Sequence, residues 1–276
     1  MRIVSLLPSA TEIVADLGLA GDLVGRSHEC QWPEEVRAVP VVSASRIDSA
    51  AMGGRQIDEA VRVAVDKGEA LYAVDGELLA SLRPEVIITQ DLCRVCAVSG
   101  GDLGEVGARV ISLGPRTLSE VAESVRYLGR ELGAAEKGEA LAGEMTERIA
   151  RVRQAVEGKR RLRVFVAEWI DPPFASGHWI PEMVDAAGGV EVLGRAGERS
   201  VCTTWETVRA ARPELVIAAP CGFDKERAAR EAALIDVGCR VVAVDADRFF
   251  VRPAPSLVHG VEILARIFNG IDLAAG

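Results

Sequence analysis

The chain has 276 residues, 49% of them hydrophobic, and a formal net charge of -9 at neutral pH. That composition excludes a disordered chain, and no apolar run approaches the roughly 18 residues that a membrane-crossing helix needs. The acidic balance, with no Lys/Arg stripe broken by aromatics, argues against nucleic acid as a partner.

Met1-Arg2 runs straight into Ile3-Val4-Ser5-Leu6-Leu7, so the chain as written has no apolar signal region and is expected in the cytoplasm. Removal of a leader would place it in the periplasm or at the cell surface instead. The six cysteines read as reduced thiols rather than a disulfide framework.

Arg2 to Leu7 reads as a buried parallel strand, followed by a helix through Ile13, Val14 and Leu17 with Ser9 or Thr11 as its cap. Leu23 to Ser27 is a second strand, ending in His28-Glu29-Cys30-Gln31-Trp32-Pro33, and Glu34 to Ala38 has room only for a short helix. Residues 43 to 59 are polar and read as a long surface loop, with helices near Ile57 to Lys67 and Glu77 to Ser81. Val86 to Thr89 is a strand that feeds Asp91-Leu92-Cys93-Arg94-Val95-Cys96; a helical turn at Leu103 to Ala108 and a strand at Arg109 to Leu113 close a first lobe, residues 1–115.

Residues 116–158 read as connecting helices. Leu141, Met145, Ile149, Val152 and Val156 recur at three- or four-residue spacing and predict one helix from about Ala135 to Glu157, roughly 33 Å long at 1.5 Å per residue. Residues 159–276 then repeat the first lobe. Strands are predicted at Arg163 to Glu168, Leu215 to Ala219 and Arg240 to Val244, and helices at Pro181 to Ala187, from Thr203 or Thr204 through Val208, and at Ser256 to Phe268. The strand–helix alternation predicts α/β architecture: two Rossmann-like lobes with parallel sheets, bridged by a long α-helix.

The opening SLLPSATEIVADLG, the turn IDPPFASG, the helix end MVDAAGG and the segment DRFFVRPAPS resemble the periplasmic substrate-binding proteins of ABC importers with a helical backbone, in their cobalamin-binding branch. The resemblance implies a protein that captures cobalamin or a related metal chelate, haem or a ferric siderophore, in an interlobe cleft for an ABC permease. It implies no catalysis, and a monomer is expected. It also implies that Glu77 and Glu206 dock on permease arginines; the other reading of both is a carboxylate favoured by the helix dipole. The chain departs from the branch in having no leader and in the thiols of HECQWP, DLCRVCAVSGG and PCGF.

Ligands of open α/β sheets bind beyond the carboxyl ends of the strands. The strand-end positions Pro8, Ser9, Trp32, Cys93, Cys96, Phe174, His178, Trp179, Cys221, Phe223, Phe249, Phe250 and Arg252 are therefore the candidate ligand contacts. Their aromatic members suit a large flat apolar ligand. Trp205 is expected in the core, and Cys239 and His259 are structural. His28 and Cys30, with Cys93 and Cys96, form a candidate set for a directly bound metal ion. The Cys93/Cys96 pair stays open between ligand or metal contact, a redox pair and plain buried thiols. An alternative is a cytosolic metal- or thiol-dependent enzyme or sensor that uses the pair with Cys30 or Cys221. No Gly-x-Ser-x-Gly, Gly-x-x-x-x-Gly-Lys or H-E-x-x-H motif favours an enzyme.

Overall fold

Short β-branched runs make the strands of this protein, and Gly, Pro and amphipathic segments separate them. The computed structural model describes residues 1–90 and 107–271. The chain divides into two compact units, residues 1–115 with 123–141 and residues 116–122 with 142–276.

The first unit holds β1 (Ile3–Ser5), α1 (Pro8–Asp16), β2 (Leu23–Arg26), β3 (Ser43–Ser45), α2 (Gly54–Asp66), β4 (Tyr72–Val74), α3 (Gly76–Ser81), β5 (Val86–Gln90) and β6 (Arg109–Leu113). Its main sheet has the order β2-β1-β5-β6, parallel throughout. Val4, Leu6, Val42, Leu79 and Ile87 form one buried cluster on it. The expected cap of α1 needs correction: Leu7 is the N-cap, with no side-chain bond, and Pro8 takes the first helical position, where its missing N–H costs nothing. The expected loop at 43 to 59 is also shorter than predicted, because Ser43–Ser45 pairs antiparallel with Tyr72–Val74.

Two helices follow, α4 (Leu118–Glu131) and α5 (Ala135–Val156). The 22 residues of α5 match the predicted connector, and they belong in part to each unit. Among the described residues no helix is long and apolar enough to cross a membrane.

The second unit holds β7 (Leu162–Ile170), β8 (Pro173–Ala175), α6 (Ile180–Ala186), β9 (Gly189–Glu191), β10 (Val201–Cys202), α7 (Trp205–Ala210), β11 (Leu215–Ala218), α8 (Lys225–Ala232), β12 (Arg240–Ala243), α9 (Ala246–Phe249) and α10 (Leu257–Asn269). Its sheet runs β10-β8-β7-β11-β12, with β9 also on β7. The predicted parallel pairing holds for β7, β9, β11 and β12, and β8 and β10 add antiparallel pairs at one edge. Trp169, which extends β7 beyond the predicted strand end at Glu168, faces Phe174 across the β7–β8 hairpin. Gly188, with φ +82, ends α6 in the left-handed conformation that the glycine stop predicts.

An internal repeat relates the units. Asp75-Gly76-Glu77 with Arg83-Pro84-Glu85-Val86 corresponds to Thr204-Trp205-Glu206 with Arg212-Pro213-Glu214-Leu215. Asp75 and Thr204 cap six-residue helices, and Arg83 (φ 44) and Arg212 (φ 50) end them in the left-handed region before proline. Glu85 then accepts from Arg2 N at 2.6 Å and Glu214 from Arg163 N at 3.0 Å, fixing each helix to the strand beside it.

Candidate functional site

In the first unit the carboxyl end of β1 leads into Pro8 and Ser9. Ser9 is 1% exposed, and its hydroxyl has no hydrogen-bond partner among the described residues. Cys30, after β2, is fully buried, its Sγ 2.9 Å from the Thr11 hydroxyl, which also lies 2.8 Å from Ser5 Oγ. His28 is half-buried, with Nδ1 3.0 Å from Ser43 Oγ and Nε2 3.3 Å from Glu29 Oε1. Among the described residues no group of three or more His, Cys, Asp or Glu side chains is arranged to hold a metal ion. Trp32 is exposed, following a turn that ends in a cis peptide to Pro33. Cys93 and Cys96 lie outside the described residues.

The second unit brings several of the predicted aromatics together. Phe174 of β8 sits opposite Cys202 on one side and Trp169 on the other, so the three share one face of the sheet. The Trp169 ring meets Phe223 edge-on at 5.3 Å, and the Arg227 guanidinium lies 3.9 Å over Phe223. This row crosses the sheet near the carboxyl ends of β7 and β11. Trp169 and Phe174 are half-buried, Phe223 is 3% exposed and Cys221 beside it is exposed.

Trp179 is 5% exposed and donates from Nε1 to the carbonyl of Phe250 at 2.7 Å; Phe250 itself is fully buried. Phe249 is half-buried, 6.0 Å from the His259 ring. Arg252 holds the Asp247 carboxylate through Nη2, 2.7 Å from each oxygen. Trp205 packs edge-on against Phe165 in the core, as expected, and burial pushes the half-buried Cys239 thiol up.

His178 stands apart from these. Its φ is +49, its N–H donates to the Glu198 carbonyl at 2.6 Å, and its Nε2 is buried without a hydrogen-bond partner among the described residues. Glu168 fixes the turn before it, accepting from Gly177 N at 2.8 Å and from the Ser200 hydroxyl. A Cβ at Gly177 would come within 2.5 Å of Glu198 O and Ser200 N, so only glycine fits there. Desolvation, then the charges of Arg116 and Arg199, hold the His178 pKa below the ordinary histidine value, which keeps the ring neutral.

Glu77 and Glu206 are exposed in the first turns of α3 and α7. Glu206 pairs with Arg209 at 3.0 Å, and its own backbone N–H and the Thr204 hydroxyl hold its carboxyl below the usual range. The roles of Trp169, Arg116 and Arg199 were not legible in the sequence. The first would have followed from extending β7 through Trp169-Ile170; nothing local marks the two arginines.

The periplasmic binding protein family matches residues 3–236 of the chain. The vitamin B12-binding protein of Vibrio cholerae is 23% identical over 273 residues, which cover 95% of this chain and 86% of that one. The uncharacterized ABC transporter substrate-binding lipoprotein YvrC of Bacillus subtilis is 23% identical over 275 residues, 96% of this chain and 78% of that one. Among solved structures, the apo periplasmic heme-binding protein RhuT of Roseiflexus sp. RS-1 superposes with a TM-score of 0.71 at 21% identity, covering 96% of each chain. These relatives are binding proteins, not enzymes. A sheet of parallel strands in each unit, a 22-residue helix shared by the two and a match that runs through nearly the whole chain lead to one conclusion: the protein belongs to the periplasmic binding protein family, the substrate-binding proteins of ABC transporters.

Proposed function

We propose that the protein captures a metal chelate of the cobalamin, haem or ferric siderophore class and hands it to an ABC permease. The observation that carries this reading is the aromatic row Phe174, Trp169 and Phe223 near the carboxyl ends of the second unit's strands. A planar macrocycle buries a large apolar area against such a row, and partly buried rings at a strand end stabilise the protein less than they would in its core. The relatives that bind vitamin B12 and heme support the same class.

Phe174, His178, Trp179 and Phe223 are the contacts this reading favours most among the strand-end residues of the second unit. Glu77 and Glu206 fit permease docking, because both are exposed and occupy the same place in the internal repeat. A directly bound ion has less support: His28 and Cys30 are engaged with Ser43 and Thr11, and no third donor joins them among the described residues. The test is titration with cyanocobalamin, hemin and a ferric hydroxamate, followed by absorbance and tryptophan fluorescence. Binding of one of them near or below micromolar concentration is expected, and no binding tighter than about 100 μM, roughly -5.5 kcal/mol, would overturn the reading.

A further inference from the structure

Arg26 is a charged side chain that the first unit keeps inside. It ends β2, it is 7% exposed, and among the described residues no carboxylate pairs with it. A buried charge is costly unless its hydrogen-bond donors are answered, and here the backbone answers them. Nε donates to the Val39 carbonyl at 3.1 Å, Nη1 to the Ser27 carbonyl at 3.2 Å and the Cys30 carbonyl at 3.1 Å, and Nη2 to the Arg37 carbonyl at 3.1 Å. All four carbonyls belong to the segment 27–40, which leaves β2 and returns beside it.

The main chain of Arg26 closes the same segment. Its N–H donates to the Pro40 carbonyl at 2.9 Å, and its carbonyl accepts from Val42 N at 2.9 Å. A surface segment of this length, with its ends together and packed by its own groups, is an Ω-loop, a form that frequently carries function. Its apolar anchors are few. Cys30 and Val36 are buried, whereas Trp32 between them is 41% exposed. A large ring left in solvent, on a backbone that a buried cation pins in place, is a contact set out before its ligand arrives.

We propose that Arg26 is a positioning residue for ligand binding: it does not touch the ligand, but fixes the loop 27–40 so that the Trp32 indole is preset against the apolar face of the chelate. The inference rests on the chelate-carrier reading above and extends it to a side chain outside the contact set. Its effect is preorganisation, since the entropy of ordering the loop is lost at folding rather than at binding. Lysine cannot take over the role. A single ammonium with three donors does not reach four carbonyls spread around a planar fork.

The experiment is a double-mutant cycle. Wild type, Arg26→Lys, Trp32→Ala and the double variant are titrated by calorimetry with cyanocobalamin, hemin and a ferric hydroxamate, and circular dichroism at the same temperature establishes that each is folded. Trp32→Ala is expected to weaken chelate binding about tenfold. Arg26→Lys should weaken it about fivefold when Trp32 is present and less than about twofold when it is absent. A merely structural role would lower affinity alike in both backgrounds; that result overturns the proposal, as does an unchanged affinity in Trp32→Ala. Should Arg26→Lys fail to fold, hydrogen exchange in unliganded wild type decides. The Cys30, Val36 and Val39 amides, which donate to the Ser27, Pro33 and Val36 carbonyls, are expected to be protected before any chelate is added, and open-chain exchange that slows only on binding overturns the proposal. Any of these contrary results, with a chelate bound by wild type, leaves the carrier reading standing. Failure of every chelate to bind wild type overturns both.

Discussion

His178 is the residue whose behaviour the surroundings constrain most. Its folded pKa lies below the ordinary value of about 6.5, with desolvation as the chief cause. Below that value the unfolded chain binds a proton that the folded protein refuses. The contribution is therefore fully present above about pH 6.5 and is lost as the pH falls toward the folded pKa. Chemical denaturation at pH 7.5 and 5.0 should show a loss of stability in wild type that is smaller in His178→Gly; equal losses would contradict the assignment. Trp169, half-buried at the middle of the aromatic row, makes a second test. Trp169→Ala is expected to weaken chelate binding about tenfold, close to 1.4 kcal/mol, in an equilibrium titration, and an unchanged affinity would remove it from the site.

Elements with a long period were legible in the sequence and short ones were not. The stripe Leu141, Met145, Ile149, Val152 and Val156 repeats over several turns, and α5 runs from Ala135 to Val156 as that stripe requires. The strands β3, β8, β9 and β10 have three residues or fewer, too few for alternation to register. For the same reason the hairpin that sets Trp169 opposite Phe174 was hidden, although Phe174 stood out as a residue. The helix pair α4 and α5 depends on a feature invisible to periodicity. A Cβ on Gly138 would lie 3.0 Å from the Cα of Gly129 and 3.1 Å from the Val125 carbonyl, both backbone atoms that cannot swing away. Gly138→Ala should thus destabilise the protein by about 1–3 kcal/mol in denaturant melts, despite alanine's better helix propensity. At α7, Thr204→Ala removes the bond from Thr207 N at 3.1 Å and should cost about 1 kcal/mol.

For the whole molecule the internal repeat has the widest consequence. It sets Glu77 and Glu206 at the same position of equivalent capped helices, each followed by a left-handed arginine and a proline. Charge reversal of both, Glu77→Arg with Glu206→Arg, is expected to abolish stimulation of the partner transporter's ATPase while leaving chelate binding intact, since both side chains are exposed and neither belongs to the aromatic row. The family match over residues 3–236 and the aromatic row of the second unit support a chelate carrier. The most direct measurement is calorimetric titration of the purified protein with hemin, cyanocobalamin and a ferric hydroxamate. The account predicts one-to-one binding of at least one chelate near or below micromolar concentration; no binding tighter than about 100 μM by any of the three would contradict it.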